Sequence, residues 1–500
     1  MSKNPEAFDL CILGCGPGGF AAAIRALDLG KKVCLIERGQ IGGAGVMWGA
    51  LASKTFWELS KDYAIAAKND RGYQAAGLKV DFSKVRATVL EAVKEKQTQM
   101  QSQIDAFSPG RWQGLGALIF KEGSGSFVAQ NRLLIHYTDG KKEEIIADNI
   151  LIATGSSPRK IPGIEVDQER IFDSDGILKL KKFPKKLMII GAGIVGCEYA
   201  TIFSNFKQTK VYLVDHMERI IPYEDPDISN FVGSNLVNNG VKIFHSAKLK
   251  DITKGPEALT ITLEFAESRT KKVQVDAVLV SIGRSPNLGS LNLQNLTLSP
   301  DSQGELPTDH HCRVRQNIYA AGDVTQHPDL VNIAEMEGRY AVKHMFGIQQ
   351  RPLNYRNMST VMFFYPAVAA VGLNEKNCQQ QQIPYRVANY ANALLPRAIA
   401  MRALNGFVKI IVSNDDDQLI LGMRAAGPQV SHTIMSIAFL MDLGQSIQNV
   451  LKTLHPHPTM SEGIQECIRL LLGESIFKPH TFPQYLKIRT WHPERGFDKD

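Results

Sequence analysis

Long hydrophobic runs are missing from this sequence. No uninterrupted apolar stretch reaches the ~18 residues of a membrane-spanning helix, and the nearest approach, 187–203, carries three glycines and Glu198. The opening Met-Ser-Lys-Asn-Pro-Glu-Ala-Phe-Asp-Leu has no apolar h-region, so no secretory signal is visible and no membrane insertion is expected. Cysteine is sparse, with seven residues at positions 11, 15, 34, 197, 312, 378 and 467. An odd, scattered set argues against a disulfide framework and for a reducing compartment, the cytoplasm. Cys11 and Cys15 are the only pair close in sequence. They flank a strand end and a glycine loop, which reads as small buried residues rather than a redox couple. Basic blocks interleaved with aromatics are also lacking, so the net charge of +7 describes a solvated surface and no nucleic-acid partner is expected.

What remains is a globular composition, 44% hydrophobic and 21% charged, over 500 residues. That length exceeds one ordinary core and predicts two to four domains. Phe8 to Leu13 reads as a short apolar strand running into Gly14-Cys15-Gly16-Pro17-Gly18-Gly19. An Ala-rich helix follows over 20–29, then a strand over 32–36 that ends at Glu37. A second unit of the same kind begins at Lys186, enters Gly191-Ala192-Gly193-Ile194-Val195-Gly196, and returns as a strand over 210–214 to Asp215. Between them, 82–106 has helical periodicity, and 117–152 has strand-like runs with a turn at Asp139-Gly140. From Tyr355 the pattern becomes antiparallel: 406–412 and 418–426 flank an Asn-Asp-Asp-Asp turn, and two helical stretches follow. The glutamine run 379–382 reads as a loop, and the proline-bearing 475–500 as an irregular tail.

A lone Gly-x-Gly-x-x-Gly is weak evidence, because glycine turns are common. A preceding strand, a following helix and an acid ending the next strand make it a dinucleotide fingerprint. The glycines let the backbone approach a pyrophosphate, and the helix N-terminus offers N–H groups and positive dipole. Glu37 and Asp215 are then the acceptors for a ribose diol. Asp215 stands 19 residues after Gly196, where a carboxylate repels a 2′-phosphate, so NAD is expected over NADP. His216 and Arg219 follow closely and offer charge of the other sign.

Further motifs carry a resemblance. Ile318-Tyr319-Ala320-Ala321-Gly322-Asp323-Val324, Ala153-Thr154-Gly155, Ser281-Ile282-Gly283-Arg284-Ser285-Pro286-Asn287 and His455-Pro456-His457-Pro458-Thr459-Met460-Ser461-Glu462 occur in that family's order. Together with the two fingerprints they resemble the flavoprotein disulfide reductases, the group that includes dihydrolipoyl dehydrogenase, over residues 8 to about 474. The resemblance implies an α/β fold with two Rossmann-like dinucleotide-binding domains, for FAD and NAD, and a C-terminal α+β dimerisation domain. It places the FAD domain in 1–152 and 283–350, the NAD domain in 153–282, the interface domain in 351–474 and a tail in 475–500. It assigns cofactor contacts to Gly14, Gly16, Pro17, Gly18, Gly19, Glu37, Arg38, Gly43, Ala44, Lys54, Thr154, Gly155, Gly283, Asp323 and Val331. It assigns NAD contacts to Gly191, Gly193, Ile194, Val195, Gly196 and Asp215. Lys54 and Glu198 match a pair set beside the flavin on its nicotinamide side. His457 and Glu462 match an acid/base dyad that reaches the partner's flavin in a homodimer.

The departure lies in Gly42-Gly43-Ala44-Gly45-Val46-Met47-Trp48-Gly49-Ala50-Leu51-Ala52-Ser53-Lys54. The family has Gly-Gly, two cysteines four residues apart, then Ser-Lys. Here the cysteine positions hold Gly45 and Ala50, and neither side chain carries electrons or exchanges with a disulfide. Soluble pyridine nucleotide transhydrogenases resemble this segment in their Trp-Gly and Ser-Lys, but they usually lack the histidine dyad. Met47 and Trp48 either line the vacated pocket or pack in the core, the commoner fate. His457 and Glu462 either move a proton or serve dimer packing. The reading is an FAD-dependent NADH oxidoreductase that passes electrons to a small non-disulfide acceptor. The alternatives are a transhydrogenase and a non-catalytic flavin- or nucleotide-binding protein.

Overall fold

The computed structural model describes residues 5–498 except 71, 73, 112 and 113. The chain divides into two compact units: Met1–Phe183 with Ala277–Leu353, and Pro184–Asp276 with Asn354–Asp500.

In the first unit, β1 (Glu6–Leu13) leads into α1 (Pro17–Asp28) and β2 (Lys32–Glu37). After α2 (Gly43–Met47), α3 (Leu51–Ala66) and α4 (Phe82–Ala106) come β3 (Ala117–Ala129), β4 (Arg132–Tyr137) and β5 (Lys142–Ile152). β1 lies between β2 and β5, parallel to both. β3 extends the parallel sheet beyond β2, and Ile318–Ala320 extends it beyond β5. The far end of β3 turns back antiparallel onto β4, which pairs with β5. Covered strands of this kind read as continuous apolar runs, and Leu10, Cys11, Ile12 and Leu13 are all buried.

α1 packs against the helix Val331–Met345 at very close range. A Cβ added to Gly338 would lie 2.2 Å from the Gly18 carbonyl oxygen, and one added to Gly18 3.0 Å from that of Ala334. Only glycines allow these backbones to meet. α4 covers the span that its periodicity predicted. It is capped by Asp81, which accepts the Ser83 N–H at 2.9 Å, and it buries Val89, Val93, Met100 and Ile104.

In the second unit, Lys186–Ile190, Lys210–Val214 and Lys242–Phe244 run parallel in that order. Helices Ile194–Asn205 and Pro226–Asn238 and the antiparallel meander Lys248–Lys254, Leu259–Glu264 and Thr270–Val275 complete this half. The remainder is an antiparallel seven-stranded sheet. Its order is Thr360–Met362, Ala367–Gly372, Ile420–Gly427, Phe407–Ser413, Tyr385–Ala391, Leu486–His492, Gly496–Phe497. Helices Val430–Asp442 and Glu462–Leu471 pack against it.

Lys409 is fully buried in this unit, its ammonium 2.8 Å from Asp225, 2.8 Å from Asp227 and 2.6 Å from Glu375. Arg489 reaches the same Glu375 carboxylate at 2.6 Å.

Two sequence expectations change, on the tail and on the glutamine run, and the buried reading of the cysteines holds. The segment 475–500 is not an irregular tail, because Leu486–His492 pairs along Tyr385–Ala391. Leu486 enters the core and Trp491 stacks on Tyr385 at 5.6 Å. The prolines that suggested irregularity all fall outside these strands, Pro493 in the turn between them. The glutamine run begins inside the helix Glu375–Gln380, which Asn374 initiates through a reciprocal capping box. The close thiol neighbour of Cys11 is Cys34, opposite it in the β1–β2 register. All seven cysteines are free and buried.

Candidate functional site

The first glycine loop is shaped to receive a phosphate. A Cβ on Gly19 would stand 1.9 Å from the Gly14 carbonyl oxygen, so the turn closes only with glycine there. Gly16, the N-cap of α1, has no side-chain cap, and a Cβ there would meet nothing nearer than Gly43 Cα at 4.0 Å. The helix N-terminus is therefore uncapped beside open space, as an anion site requires. Pro17 starts α1 with its ring, where a missing N–H costs nothing. Glu37 holds the loop from the end of β2: Oε2 accepts the Cys15 N–H and Oε1 that of Gly39, each at 2.7 Å. Burial and the Glu37 charge push the Cys15 thiol up to about 12, so it is no redox thiolate. Arg38 is exposed, and Gly42 and Gly43 turn the chain through positive φ into α2 and Ala44.

Downstream residues of the first unit converge on one hydrogen-bonded corner. The Ser156 hydroxyl donates to Asp323 Oδ2 at 2.6 Å and accepts from Arg284 Nε at 2.7 Å, and Arg284 pairs with Asp175 at 2.7 Å. Thr154 donates to the Asn287 carbonyl at 2.9 Å, while Gly155 and Gly283 take positive φ at the two chain crossovers.

The second unit repeats the loop. Gly193 is an uncapped helix N-cap with nothing within 4 Å of an added Cβ, ahead of Ile194, Val195 and Gly196. Gly191 turns through positive φ. Asp215 accepts the Ala192 N–H at 2.6 Å and the Met217 N–H at 2.9 Å, and His216 Nδ1 lies 3.2 Å from it. Both loops fit a dinucleotide, because each offers an open cradle edged by a carboxylate.

Glu198 is buried and accepts the Phe363 N–H at 2.9 Å. Lys54, on α3 in the first unit, donates to Ser53 Oγ at 3.2 Å. His457 and Glu462 are brought together: Nδ1 and Oε1 are 2.7 Å apart, and Glu462 Oε2 accepts the Thr459 N–H at 2.7 Å. The carboxylate is thus fixed while the imidazole remains about two-thirds exposed.

At the redox segment, α2 and α3 are separated by Trp48, Gly49 and Ala50. A Cβ on Gly45 would lie 2.6 Å from Pro17 Cγ and 3.0 Å from Val331 Cγ2. Those two side chains fill the space in which a residue-45 side chain would begin. Beside Gly45 and Ala50 opens a cavity of about 490 Å³ within the first unit, walled by α1, α4 and the Val331–Met345 helix. Neither Met47 nor Trp48 lines it. Met47 Sδ meets Gln97 Nε2 at 3.0 Å, and the Trp48 indole nitrogen is buried without a hydrogen-bond partner among the described residues.

The sequence reading missed this cavity's other walls. Pro17, Ala21, Ile24 and Asp28 recur at helical spacing on α1, as do Val331, Glu335 and Arg339 on the later helix. That periodicity was available in the sequence, but it does not say what the stripe faces.

Comparison with known proteins agrees with this arrangement. The profile of the pyridine nucleotide-disulphide oxidoreductases matches residues 8–338, and that of their dimerisation domain matches 358–468. A dihydrolipoyl dehydrogenase of Bacillus subtilis is 31% identical over 480 residues, covering 94% of this chain and 99% of that one. The mitochondrial dihydrolipoyl dehydrogenase of Schizosaccharomyces pombe is 31% identical, covering 93% and 90%. Among solved structures, LpdA from Mycobacterium tuberculosis superposes with a TM-score of 0.84 at 26% identity, covering 93% of this chain and 99% of that one. The α/β flavoprotein disulfide reductase fold and the C-terminal dimerisation domain are thus those of the relatives. No helix among the described residues is long and apolar enough to cross a membrane. With both profiles matched in order and relatives at 31% identity along nearly the whole chain, this protein belongs to the pyridine nucleotide-disulphide oxidoreductase family, whose members bind FAD and NAD(P).

Proposed function

We propose that this homodimeric protein is an FAD-dependent NADH oxidoreductase that works without a redox disulfide and delivers electrons to a small non-disulfide acceptor. The observation that carries the reading is Gly45 and Ala50 at the two cysteine positions, with an open cavity against both. Bound FAD would supply the two-electron relay between nicotinamide and acceptor.

The chain's own residues supply the rest. Gly16 and the α1 N-terminus bind pyrophosphate, Glu37 accepts from the adenosine ribose, and Asp323 accepts from the ribityl chain. Gly193 and Asp215 do the same for NADH, with the Asp215 carboxylate disfavouring a 2′-phosphate. Lys54 places positive charge near the isoalloxazine, where negative charge gathers on reduction. His457, oriented by Glu462 through Nδ1, presents Nε2 as a proton donor to an acceptor oxygen in the partner's site.

The test is anaerobic mixing with NADH in a stopped-flow instrument. Rapid flavin bleaching is expected, without the long-wavelength thiolate-to-flavin band that a dithiol produces, followed by reoxidation by a non-disulfide acceptor. Robust turnover of dihydrolipoamide would overturn the reading. The Trp48-Gly49 and Ser53-Lys54 pattern supports a second reading, a pyridine nucleotide transhydrogenase. His457→Ala separates the two. It should slow reoxidation by an oxygen-bearing acceptor by roughly 10²–10⁴-fold, whereas hydride transfer to a second nicotinamide needs no donor.

A further inference from the structure

The second glycine loop is held in shape by residues far from it in sequence. Ala192, between Gly191 and Gly193, is tied at both of its backbone groups. Its N–H donates to Asp215 at 2.6 Å, and its carbonyl accepts the Ile221 N–H at 2.9 Å. Ile221 is fully buried and takes φ +46°. A β-branched residue enters that left-handed region only when its surroundings impose it.

The surroundings are a series of latches on the segment 221–225. The Ile221 carbonyl accepts the Glu224 N–H at 3.1 Å and the Ser229 hydroxyl at 3.3 Å. The Pro222 carbonyl accepts the Lys376 ammonium at 3.2 Å, and the Tyr223 carbonyl accepts the Asn374 side-chain amide at 2.9 Å. Glu224 pairs with Arg424 at 2.9 Å, both buried. Asp225 accepts the N–H groups of Glu375 and Lys376 at 3.0 and 3.1 Å and takes the Lys409 ammonium at 2.8 Å.

The C-terminal strand Leu486–His492 closes the series. Arg489 Nη2 lies 2.6 Å from Glu375 Oε1, the same oxygen that Lys409 reaches at 2.6 Å. Tyr385 donates to Glu375 Oε2 at 3.1 Å, and Trp491 of the strand stacks on the Tyr385 ring. Lys409 alone faces three carboxylates, Asp225, Asp227 and Glu375, so Arg489 brings the second positive charge to a cluster with excess negative charge. All of these residues belong to the second compact unit. A cluster that served stability alone would need no link to the glycine loop, and Ile221 is that link.

Resting on the reading that this loop binds a nicotinamide dinucleotide, we infer that Arg489 is a positioning residue for it. The C-terminal strand fixes Glu375 and Lys409, these fix Asp225, and the segment 221–225 sets the Ala192 carbonyl and with it the phosphate loop.

The probe is ADP-ribose, titrated calorimetrically into FAD-loaded protein, so that the first loop is already filled. Arg489→Met should raise its dissociation constant about threefold to tenfold, and Arg489→Lys should recover most of the loss. In stopped-flow reduction the NADH concentration at half-maximal rate should rise by the same factor, with the limiting rate and the flavin per chain near parent values. Hydrogen exchange across 217–224 should accelerate while that of Val430–Asp442 does not. Arg495→Met removes an arginine of the same tail that pairs with Asp498 at 3.2 Å, and it should leave ADP-ribose binding unchanged. Lys376→Met frees the Pro222 carbonyl from an exposed position and serves as the second probe should the Arg489 variant fail to fold.

ADP-ribose affinity at the parent value in both Arg489→Met and Lys376→Met would overturn the inference. An equal loss in Arg495→Met, or exchange that accelerates uniformly over the unit, would overturn it too, since either result describes a general effect of the tail. Parent protein that retains flavin but does not bind ADP-ribose would instead sink the dinucleotide reading of this loop, and the inference with it.

Discussion

Placing cysteines at positions 45 and 50 should not create a working dithiol relay, and Gly45 is where the geometry says so. A Cβ at position 45 would lie 2.6 Å from Pro17 Cγ and 3.0 Å from Val331 Cγ2. Ordinary carbon–carbon contact is about 3.5–4.0 Å, so the clash with Pro17 is about 1 Å deep. Neither neighbour yields easily. The Pro17 ring is locked into the backbone at the first residue of α1, and Val331 is β-branched at the start of its own helix.

Overpacking of this kind costs about 1–3 kcal/mol. It also pushes Pro17 within the loop Gly16-Pro17-Gly18, proposed above as the cradle of the flavin pyrophosphate. Gly45→Ala should therefore lower the unfolding midpoint in urea and reduce the flavin retained per chain after dialysis. Ala50 already carries a Cβ on the cavity wall, so Ala50→Cys should leave both quantities near the parent values. The double variant Gly45→Cys/Ala50→Cys should combine the Gly45 penalty with no useful turnover of dihydrolipoamide. The reasoning fails if Gly45→Ala matches the parent in stability and flavin content, or if the double variant becomes an efficient lipoamide enzyme.

Other perturbations have defined outcomes. Lys409→Met leaves buried carboxylates unpaired and should cost about 3–5 kcal/mol at neutral pH in denaturant titrations. Burial alone would raise the Asp225 carboxyl, but Lys409 and the Glu375 and Lys376 N–H groups outweigh it and hold it low. Its contribution is therefore present above the ordinary carboxylate range and lost as pH falls through the lowered value. For Lys409, burial lowers the ammonium but Asp227, Glu375 and Asp225 outweigh it, so its contribution is complete below the ordinary lysine value and lost as pH rises through the raised one. The deficit of Lys409→Met should accordingly shrink as the medium is acidified, and a constant deficit would contradict the assignment. Leu486→Ala should destabilise by about 2–5 kcal/mol despite lying near the C-terminus, since Leu486 is 2% exposed; thermal unfolding checks it. Stopped-flow reduction should favour NADH over NADPH by about ten- to a hundredfold, from roughly 1–3 kcal/mol of repulsion at Asp215. Equal affinities would give the decision to His216 or Arg219.

Much of this was legible before any coordinates. Strand, glycine turn, helix and acid are contiguous in sequence, so local physics fixes them together. The elements Lys32–Glu37, Phe82–Ala106 and Lys210–Val214 fall within a residue of where periodicity put them. Strand Leu486–His492 was not legible. A polar, proline-flanked segment forms a strand here because the edge of Tyr385–Ala391 offers it hydrogen-bonding partners, and nothing local records that edge. The pairing of Cys11 with Cys34 escaped for the same reason: register across strands is set by long-range packing.

The same division runs through the candidate site. Sequence alone determined that positions 45 and 50 carry no thiol, because that depends only on which atoms are there. It also determined the two nucleotide loops and the spacing that lets Glu462 reach His457, since each lies within one short segment. Only the tertiary structure decided that the room at Gly45 is taken by Pro17 and Val331, and that a cavity opens beside it against α1, α4 and a helix some three hundred residues further on. It likewise decided that Lys409 would be neutralised by carboxylates from distant segments. Residue identity sets which reactions are impossible, but volume and charge compensation arise from side chains that meet only when remote segments pack.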